Sequence, residues 1–496
     1  MAIQADTVQY GPWTDGVLYS NAVEDVGPKG LSDMWNMRIG SSGQVVTRAG
    51  TASYQSASAL AGTPTVTLCA EFKPNASTTY VVIAAGSALY YYNSGWSAIT
   101  GSLTITAGDT NTFESANCNG TLVATNGVDA PWKWAGTGNA TALDVDSRFT
   151  TAEHMAWYDN RLWMANTNAN TSQLWYSDIG DIETWGATSF YNFQAEITAL
   201  VPAQNALIVH TRDGISTLIP TGNTTIPYHR QQRTVEAGVN GLSTVSLPAD
   251  VQLFLQDDGI YSWSGGAQVT KISYQLDDGY WPEINTSALS NAFAIRYPDA
   301  NEVWFFLPYG TGQTKPNHIV AYNTRYNCWS GPWEYTAGRA CTGLVSGKPH
   351  AGGFDGILYD METGTNDNGS AISWSFTTGS PAPFGSDVRL RWLYARTYFD
   401  GAGDYYASVT QDSSGLIGTT EQLSLKSNSF VLGADALGTG ILGTTRMIGR
   451  DTDLAGYDPH SSLKYSNGGT NQVGTFRRIH LQYKPIGRKR RRARNS

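Results

Sequence analysis

Two pairs of adjacent carboxylates are the first residues in this chain with the chemistry of an acid–base catalyst. They are Asp257-Asp258 and Asp277-Asp278. Glycoside hydrolysis needs two carboxyl groups that face each other across the scissile bond, whereas neighbouring residues of a strand point to opposite faces of a sheet. Asp258 also precedes Gly259, and Asp-Gly is typical of a tight hairpin turn. The pairs therefore indicate turns rather than a catalytic dyad.

The spacing of histidines and cysteines predicts neither a metal site nor a disulfide framework. No His-x-His, His-x₃-His or Cys-x-x-Cys pattern occurs, although metal sites in proteins commonly use such spacings. We expect free thiols in a protein made and assembled in a reducing cytoplasm. The residues concerned are His154, His210, His229, His318, His350, His460, His480, Cys69, Cys118, Cys328 and Cys341.

Motifs that would assemble a nucleophile are also missing from the sequence. There is no phosphate-binding loop and no Gly-x-Ser-x-Gly elbow. The nearest match to the Asp-box of sialidase-like propellers, Ser-x-Asp-x-Gly-x-x-Trp, runs from Ser177 to Trp185, but Asp178 follows the serine directly and the tryptophan is one residue late. We therefore predict no enzyme, no metal and no cofactor, although a site built from distant residues would leave no local pattern.

Charge is distributed unevenly along the chain. Residues 484–496 carry a charge of +7, so the rest of the chain, with 25 basic and 41 acidic residues, carries −16. We expect the basic tail to bind an acidic protein surface or nucleic acid; a solvated terminus is the alternative. If the acidic body formed a ring, its negatively charged inner wall would repel phosphates and let DNA slide without sticking. Acidity that serves only solubility is equally compatible with the sequence. The tail residues are Arg488, Lys489, Arg490, Arg491, Arg492 and Arg494.

Hairpin-like segments recur along most of the chain and are the elements that must position any site. Each has an apolar strand, a turn of Asn, Asp or Gly, and a strand rich in Leu, Ile, Tyr and Trp; residues 251–265 are the clearest copy. The mean step between turns is 45 residues, close to the roughly 40 to 50 residues of a propeller blade. An all-β β-propeller of six to eight blades, with seven favoured, is predicted. The turn positions are Gly86, Gly120, Asn160, Gly214, Gly259, Asn301 and Gly356.

Composition shifts divide the chain into four predicted parts. Residues 1–60 supply amino-terminal strands and an arm that partly closes the propeller, and residues 61–370 form the propeller itself. Residues 371–487 form a β-sandwich-like domain with a long insertion, about 411–472, that extends as an arm onto a neighbouring subunit. Residues 488–496 are the basic tail. An excursion between 226 and 247 predicts an exposed loop that presents Arg230 and Arg233 to a partner. No secretory signal or membrane span is expected.

Several segments resemble the tail nozzle or hub proteins, also called tail stabilisation proteins, of short-tailed bacteriophages. Residues 155–164 with 174–181, then 236–246 leading into 252–263, carry the likeness. Trp35-Asn-Met-Arg38 and Arg48-Ala-Gly-Thr51 look like the opening motifs of that family. The closing strand, residues 478–488, is similar to its last strand, whereas the long basic terminus departs from the family pattern.

The resemblance implies a β-propeller protomer that forms a homo-hexameric ring in the virion tail. Such a ring lies below the portal and the head-to-tail adaptor ring, extends the DNA channel, retains packaged DNA and provides attachment for tail fibres or a tail tip protein. Double-stranded DNA passes through the lumen without sequence-specific binding, and assembly takes place in the host bacterial cytoplasm. This function is structural and involves no catalysis.

Two alternatives use the same fold. A glycan- or receptor-binding propeller of a tail fibre or spike would employ the tryptophan-rich repeats for recognition. A glycosidase would require clustered arginines or carboxylates at the centre of the propeller. Neither alternative explains the basic tail.

Overall fold

A computed structural model describes residues 5–234, 242–343, 347–380, 382–385, 387–401, 403–413, 416–426 and 447–488. Seven four-stranded antiparallel sheets follow one another along the chain, each joined to the next in sequence order. The innermost strand of the seventh sheet, Arg339–Thr342, contacts that of the first, Val66–Asn75. The sheets therefore form a closed ring, a seven-bladed β-propeller, as the sequence predicted.

The blades are numbered in chain order, and within each blade the strands run from the axis outward. Blade 1 contains Val66–Asn75, Thr78–Ala85, Ala88–Tyr92 and Trp96–Ala98; blade 2, Glu114–Cys118, Thr121–Thr125, Trp132–Trp134 and Thr141–Ala142; blade 3, Ala152–Tyr158, Arg161–Thr167, Gln173–Ser177 and Trp185–Asn192; blade 4, Ile197–Pro202, Leu207–Thr211, Gly214–Pro220 and Tyr228–Thr234; blade 5, Val245–Ser246, Gln252–Gln256, Gly259–Trp263 and Thr270–Lys271; blade 6, Phe293–Tyr297, Glu302–Leu307, His318–Asn323 and Cys328–Glu334; blade 7, Arg339–Thr342, Pro349–Gly352, Leu358–Asp360 and Ala52–Ser53.

All seven predicted turns join antiparallel strands, but they occupy two different places in the blade. In blades 2, 3 and 6 the turn joins the first and second strands, and in blades 1, 4, 5 and 7 it joins the second and third. The first strands begin 38 to 48 residues apart. The blade repeat is therefore more regular than the spacing of the predicted turns, because those turns come from two different hairpins of the blade.

The turn of blade 5 differs from the predicted one in its register. Gln256 pairs with Gly259, so the two turn residues are Asp257 and Asp258, and Gly259 lies in the strand without a positive φ. A Cβ at Gly259 would lie 2.6 Å from the Ser273 hydroxyl, which accepts a hydrogen bond from the amide of Ile260. Glycine is needed here for close approach of a neighbouring segment, not for a left-handed backbone.

An amino-terminal strand completes the last blade, as expected. Ala52–Ser53 pairs antiparallel with Leu358–Asp360 as the outer strand of blade 7. Buried apolar clusters lie between neighbouring blades, and they include Trp132 and Trp134 between blades 1 and 2 and Trp163 between blades 3 and 4. Burying sheet faces against adjacent blades is what makes the ring stable, because one blade cannot cover both of its faces.

Two six-stranded sheets form a second domain that contains both ends of the described chain. One sheet is built from Met447–Asp453, Val388–Asp400, Thr475–Arg488, Val45–Thr47, Met37–Ile39 and Asp6–Tyr10; the other from Gly16–Val17, Gly30–Trp35, Trp374–Thr378, Ser462–Asn467, Tyr406–Ser413 and Leu416–Ser424. The sheets pack face to face, with the rings of Phe376 and Phe476 5.0 Å apart. They form a β-sandwich.

This sandwich differs from the predicted domain boundaries in two ways. Most amino-terminal strands belong to it, since only Ala52–Ser53 joins the propeller. The predicted insertion at 411–472 is wrong for its described part, because Leu416–Ser424, Met447–Asp453 and Ser462–Asn467 are strands of the two sheets. The Gly- and Ser-rich sequence around these strands concealed them. The two edge strands, Leu416–Ser424 and Met447–Asp453, also lack the apolar alternation that identifies a strand.

The largest buried cluster joins the sandwich to blades 5 and 6. It includes Trp374 and Trp392 from the sandwich and Phe305 and Trp329 from blade 6. The two domains therefore share one continuous core. Helical structure in the described chain is limited to short 3₁₀ segments, and no helix there has the length and apolar character of a membrane span. The segments are Tyr54–Ser56, Pro248–Asp250, Tyr274–Leu276, Trp281–Glu283, Thr286–Asn291 and Pro298–Ala300.

Candidate functional site

A polar cavity of about 430 Å³ lies at the propeller axis, at the end where the innermost strands begin. Blades 2 to 4 and the segments that precede blades 5 and 6 contribute its lining. Asparagine, threonine and serine dominate that lining, together with Glu153, His154, Glu196 and Arg212. A cavity of this size fits a small polar molecule and is far too small for a nucleic-acid duplex.

His154 is the most buried titratable group of the cavity. It is 4% exposed, and its Nδ1 lies 3.0 Å from Oε1 of Glu114 on the innermost strand of blade 2. Burial alone would lower the pKa of His154, but the Glu114 carboxylate outweighs it, so the pKa is raised. The other Glu114 oxygen accepts the amide of Met155 at 2.8 Å, which fixes the pair across the seam between blades 2 and 3.

Two further carboxylates are held together by an amide. Asn166 Nδ2 donates to Glu153 at 2.6 Å and to Glu196 at 3.2 Å. Arg212, which is largely exposed, pairs with Glu196. The carboxylates therefore face each other across the Asn166 amide instead of across an open gap that a substrate bond would occupy.

The arrangement can bind a small polar ligand, but the described residues do not assemble a nucleophile. No serine or threonine hydroxyl of the described cavity lining is hydrogen-bonded to His154, Glu153 or Glu196. Activation of a hydroxyl requires such a contact with a base. Among the described residues, no group of three or more His, Cys, Asp or Glu is arranged to hold a metal ion.

A second cleft of about 440 Å³ lies beside blade 7 and combines aromatic rings with carboxylates. Tyr335, Phe354 and Tyr359 line it together with Asp355 and Asn368. The Tyr359 hydroxyl donates to Asp355, which holds that ring in place. Aromatic surfaces beside a few fixed polar groups are typical of small-molecule sites.

The two opening motifs of the family resemblance, Trp35-Asn-Met-Arg38 and Arg48-Ala-Gly-Thr51, form a junction between the sandwich and the propeller. Arg38, on the sandwich strand Met37–Ile39, pairs with Glu302 of blade 6 and donates to Glu362 at 2.6 Å. Its guanidinium lies 5.2 Å from the ring of Trp333. The Glu302 carboxylate also accepts the indole N–H of Trp304 at 2.8 Å. Arg38 is thus a structural anchor of the amino-terminal segment.

Arg48 forms the second half of this junction. It donates to Asn36 Oδ1 at 2.9 Å and to Asp367 Oδ1 at 2.9 Å, and it is 5% exposed. Asn36 has a positive φ of 51° and also accepts the amide of Glu334. These hydrogen bonds connect the amino-terminal segment to Glu334 and Asp367, so the residues of the two sequence motifs attach that segment to the rest of the protein.

Arg230 and Arg233 do not lie in an exposed loop, and that prediction was wrong. Both belong to Tyr228–Thr234, the outer strand of blade 4. Arg230 donates to the carbonyl of Asn192 and stacks 4.8 Å from the ring of Phe193. Arg233 donates to Thr217 Oγ1 at 3.0 Å. Arg230 therefore links blade 4 to Asn192 at the end of the outer strand of blade 3, whereas Arg233 is engaged within blade 4.

The basic tail lies outside the described residues, apart from Arg488, whose backbone ends the last strand, Thr475–Arg488. The part of the 226–247 excursion from 235 to 241 is likewise outside them. Binding by the tail residues stays a prediction.

The carboxylate pairs and the Asp-box-like segment occupy structural positions. Lys271 Nζ lies 3.0 Å from Asp277 and 3.6 Å from Asp258. Within the segment, Ser177 Oγ accepts the amide of Leu162 at 2.9 Å, and Asp181 accepts the hydroxyl of Thr184 at 2.8 Å. These contacts stabilise turns, as expected from the sequence.

Two buried histidines make the fold sensitive to acid. Burial lowers the pKa of His210 to about 3 and that of His318 to about 4. The unfolded chain, with a histidine pKa near 6.5, binds more protons below that pH, so stability falls as the pH drops from about 6.5 towards 4. At pH 5 each residue is expected to cost about 2 kcal/mol relative to pH 7.

Urea unfolding at pH 7 and pH 5 tests this expectation. His210 is fully buried and neither ring nitrogen has a hydrogen-bond partner, so His210→Leu should be tolerated at pH 7 and should lose part of the pH dependence. His229→Leu, at an exposed position, serves as the control. An unchanged pH dependence in His210→Leu would contradict the assignment.

No local motif marks the cavity cluster, because its members come from different blades. Glu114 and His154 are 40 residues apart, which is about one blade repeat. That separation is the one signal available, since residues at equivalent positions of consecutive blades meet near the axis.

Comparison with known proteins supports no functional assignment. No protein-family model and no curated protein matches the chain. Among solved structures, the computationally designed Ika8 protein is 14% identical with a TM-score of 0.38, over 61% of this chain and 98% of that one. YCF48 bound to D1 peptide is 11% identical with a TM-score of 0.38, over 63% and 97%. The extracellular domain of BT4673 from B. thetaiotaomicron is 10% identical with a TM-score of 0.40, over 63% and 39%.

At such identities and scores these likenesses carry no argument about activity or partners. None of the three is described as a phage tail protein, so the family resemblance seen in the sequence stays a prediction.

Proposed function

We propose that the protein is a structural subunit of a short-tailed bacteriophage tail, where six copies form a nozzle or hub ring. The ring would extend the DNA channel below the portal and adaptor, retain packaged DNA and give fibres a place to attach. In this proposal the DNA lumen lies between subunits, because the axial cavity of a single propeller is too small for a duplex.

The observation that carries the proposal is the exposed apolar surface of the sandwich. Six of the ten large apolar side chains that are exposed in the described chain belong to this domain. A contiguous patch of exposed apolar side chains marks an interaction surface, and we take these side chains to lie in such a surface. They are Val23, Phe384, Tyr406, Met447, Tyr457 and Ile486, between 36% and 60% exposed.

Sheet edges in the same domain support subunit contact. Leu416–Ser424 and Met447–Asp453 end their respective sheets, and the two strands lie beside each other. An edge strand presents unpaired backbone N–H and C=O groups, which a neighbouring chain can cover. Closed rings arise when one such surface meets a different surface on the next copy.

The native mass of the full chain tests the ring. Six copies of the 53.6 kDa chain would give about 322 kDa, measured alone and with a candidate adaptor. Tyr457→Glu, at a side chain that is 60% exposed, is expected to weaken assembly at least tenfold, whereas Ile179→Glu, 66% exposed on the propeller, should not. A strict monomer or trimer in the presence of adaptor would contradict the proposal.

The basic tail is assigned to docking in the same experiment. Removal of residues 488–496 should leave folding intact and weaken binding to an acidic adaptor surface. The loss should be largest at low salt and shrink as the salt concentration rises, because salt screens the attraction that the tail supplies. Unchanged adaptor binding by the truncated protein would refute this role of the tail.

A glycan- or receptor-binding propeller is the second candidate, and the aromatic cleft beside blade 7 favours it. Tyr335, Phe354 and Tyr359 could stack on sugar rings while Asp355 and Asn368 bind hydroxyl groups. A glycan array with the wild type and Phe354→Ala distinguishes the candidates. Binding that Phe354→Ala abolishes, together with a trimeric or monomeric mass, would favour the second candidate over the ring.

A further inference from the structure

Two cysteines meet at the seam where the propeller ring closes. Cys69 lies on the innermost strand of blade 1 and Cys341 on the innermost strand of blade 7, 272 residues apart in sequence. Both are free thiols, and their Sγ atoms lie 2.7 Å apart. A disulfide has an S–S distance of about 2.0 Å, so a movement of less than about 1 Å would allow a bond.

The surroundings of the pair favour thiol chemistry at Cys341. His350, on the next strand of blade 7, lies 3.0 Å from Glu71 through Nε2 and 2.7 Å from Asp360 through Nδ1. Burial alone would lower the pKa of His350, but these two carboxylates raise it to about 10, so the ring is a cation at neutral pH.

The two thiols differ in acidity and access. Burial raises the pKa of Cys69, which is 4% exposed. The contact with Cys69, followed by the charges of His350 and Arg339, lowers the pKa of the more accessible Cys341. A thiolate is the attacking species in thiol–disulfide exchange. Cys341 is therefore the sulfur that meets an oxidant first, and Cys69 is the resolving thiol.

We propose that Cys69 and Cys341 form a reversible disulfide that locks the propeller ring. In the first step the Cys341 thiolate attacks a small-molecule disulfide such as oxidised glutathione, forms a mixed disulfide and releases one glutathione thiolate. Cys69 then loses its proton to solvent, attacks the Cys341 sulfur and releases the second glutathione. Two protein thiols are oxidised and one glutathione disulfide is reduced. This inference does not depend on the proposed tail function.

The lock acts where the propeller ring closes. Blade 7 is completed by Ala52–Ser53, so the ring is held shut there by noncovalent contacts alone, and the apolar cluster between blades 7 and 1 is small. A bond between the innermost strands would close a long loop in the unfolded chain and so disfavour unfolding. Cys118 and Cys328 are also buried, yet neither contacts another thiol among the described residues.

Oxidation of the full-length protein with oxidised glutathione tests the lock. We expect the intact mass to fall by two hydrogen atoms, a peptide map to join Cys69 to Cys341, and the apparent Tm to rise by about 5 °C or more, reversibly on reduction. The double variant Cys118→Ser, Cys328→Ser should behave like the wild type. Cys69→Ser should instead retain glutathione on Cys341.

Peptide mapping of the oxidised wild type tests the proposed disulfide even if a variant fails to fold. Glutathione left on Cys341 without a cross-link, or cross-links that involve Cys118 or Cys328, would overturn the proposal. A cross-link between Cys69 and Cys341 that leaves the Tm unchanged would overturn its role as a lock.

Discussion

Replacing Arg38 with methionine is expected to lower the free energy of unfolding by about 3 to 5 kcal/mol. The reason is that Glu302, whose side chain is 1% exposed, would keep a buried negative charge without its cation. Glu362, 13% exposed, would lose its partner as well. Removing one member of a buried ion network costs far more than the network itself contributes, because the remaining charges are left in a poorly polarisable environment.

Thermal and urea unfolding, followed by tryptophan fluorescence, measure this effect. Trp304 and Trp333 surround the Arg38 guanidinium, so the fluorescence also reports local loosening. Arg396→Met is the matched control, since Arg396 makes a comparable two-point pair with Asp451 on the surface and should cause no measurable loss. Adding Glu302→Gln to Arg38→Met should restore part of the stability. Equal losses of unfolding free energy in Arg38→Met and Arg396→Met would contradict the role of Arg38 as a structural anchor.

Gly50→Ala is expected to open the last blade and to cost about 3 kcal/mol or more. Gly50 lies two residues before the closing strand, and a Cβ there would lie 2.0 Å from the carbonyl oxygen of Asn366. The backbone cannot retreat freely, because the Thr51 amide donates to that same oxygen at 2.9 Å. Any shift that relieves the clash would pull Ala52–Ser53 away from Leu358–Asp360.

Limited proteolysis beside thermal unfolding would locate the damage. New cleavage near residues 52–60 and in blade 7, with a lowered Tm, is the expected pattern. Gly266→Ala is the control, because a Cβ at Gly266 meets nothing within 4 Å, and its effect should stay within about 0.5 kcal/mol. A stable Gly50→Ala protein with intact blade 7 would show that the closing strand does not depend on this contact.

The propeller was predictable because each blade carries its own local signal. Turn residues with positive φ, such as Asn119, Asn160 and Asn301, sit between strands whose apolar residues alternate, and both patterns depend only on neighbours in sequence. The Asp257-Asp258 turn shows the limit of that reasoning. The hairpin was expected, but its turn was placed one residue late, at Asp258-Gly259. Gly259 is required instead by its close approach to Ser273, a tertiary contact that no local pattern contains.

A sandwich-like domain was expected, but its amino-terminal strands and the polar clusters were hidden because they depend on pairing between distant residues. Asp6–Tyr10 pairs with Thr475–Arg488, and neither segment identifies its partner. Cys69 and Cys341 likewise carry no mutual signal, since cysteine spacing is informative only within short motifs. Arg38 and Arg48 were recognised as motif residues, but their role as anchors required the positions of Glu302 and Asp367.

The pairing of both chain ends sets the order in which this protein can be completed during synthesis. Ala52–Ser53 must wait for Leu358–Asp360, and Asp6–Tyr10 must wait for Thr475–Arg488. At about 5 to 20 residues per second, these delays are roughly 15 to 60 s and 25 to 95 s. The sandwich can therefore be completed only after residues 475–488 have been synthesised. The sandwich strands within residues 6–47 therefore lack most of their sheet partners while the propeller is synthesised, and they are among the last segments of the described chain to fold.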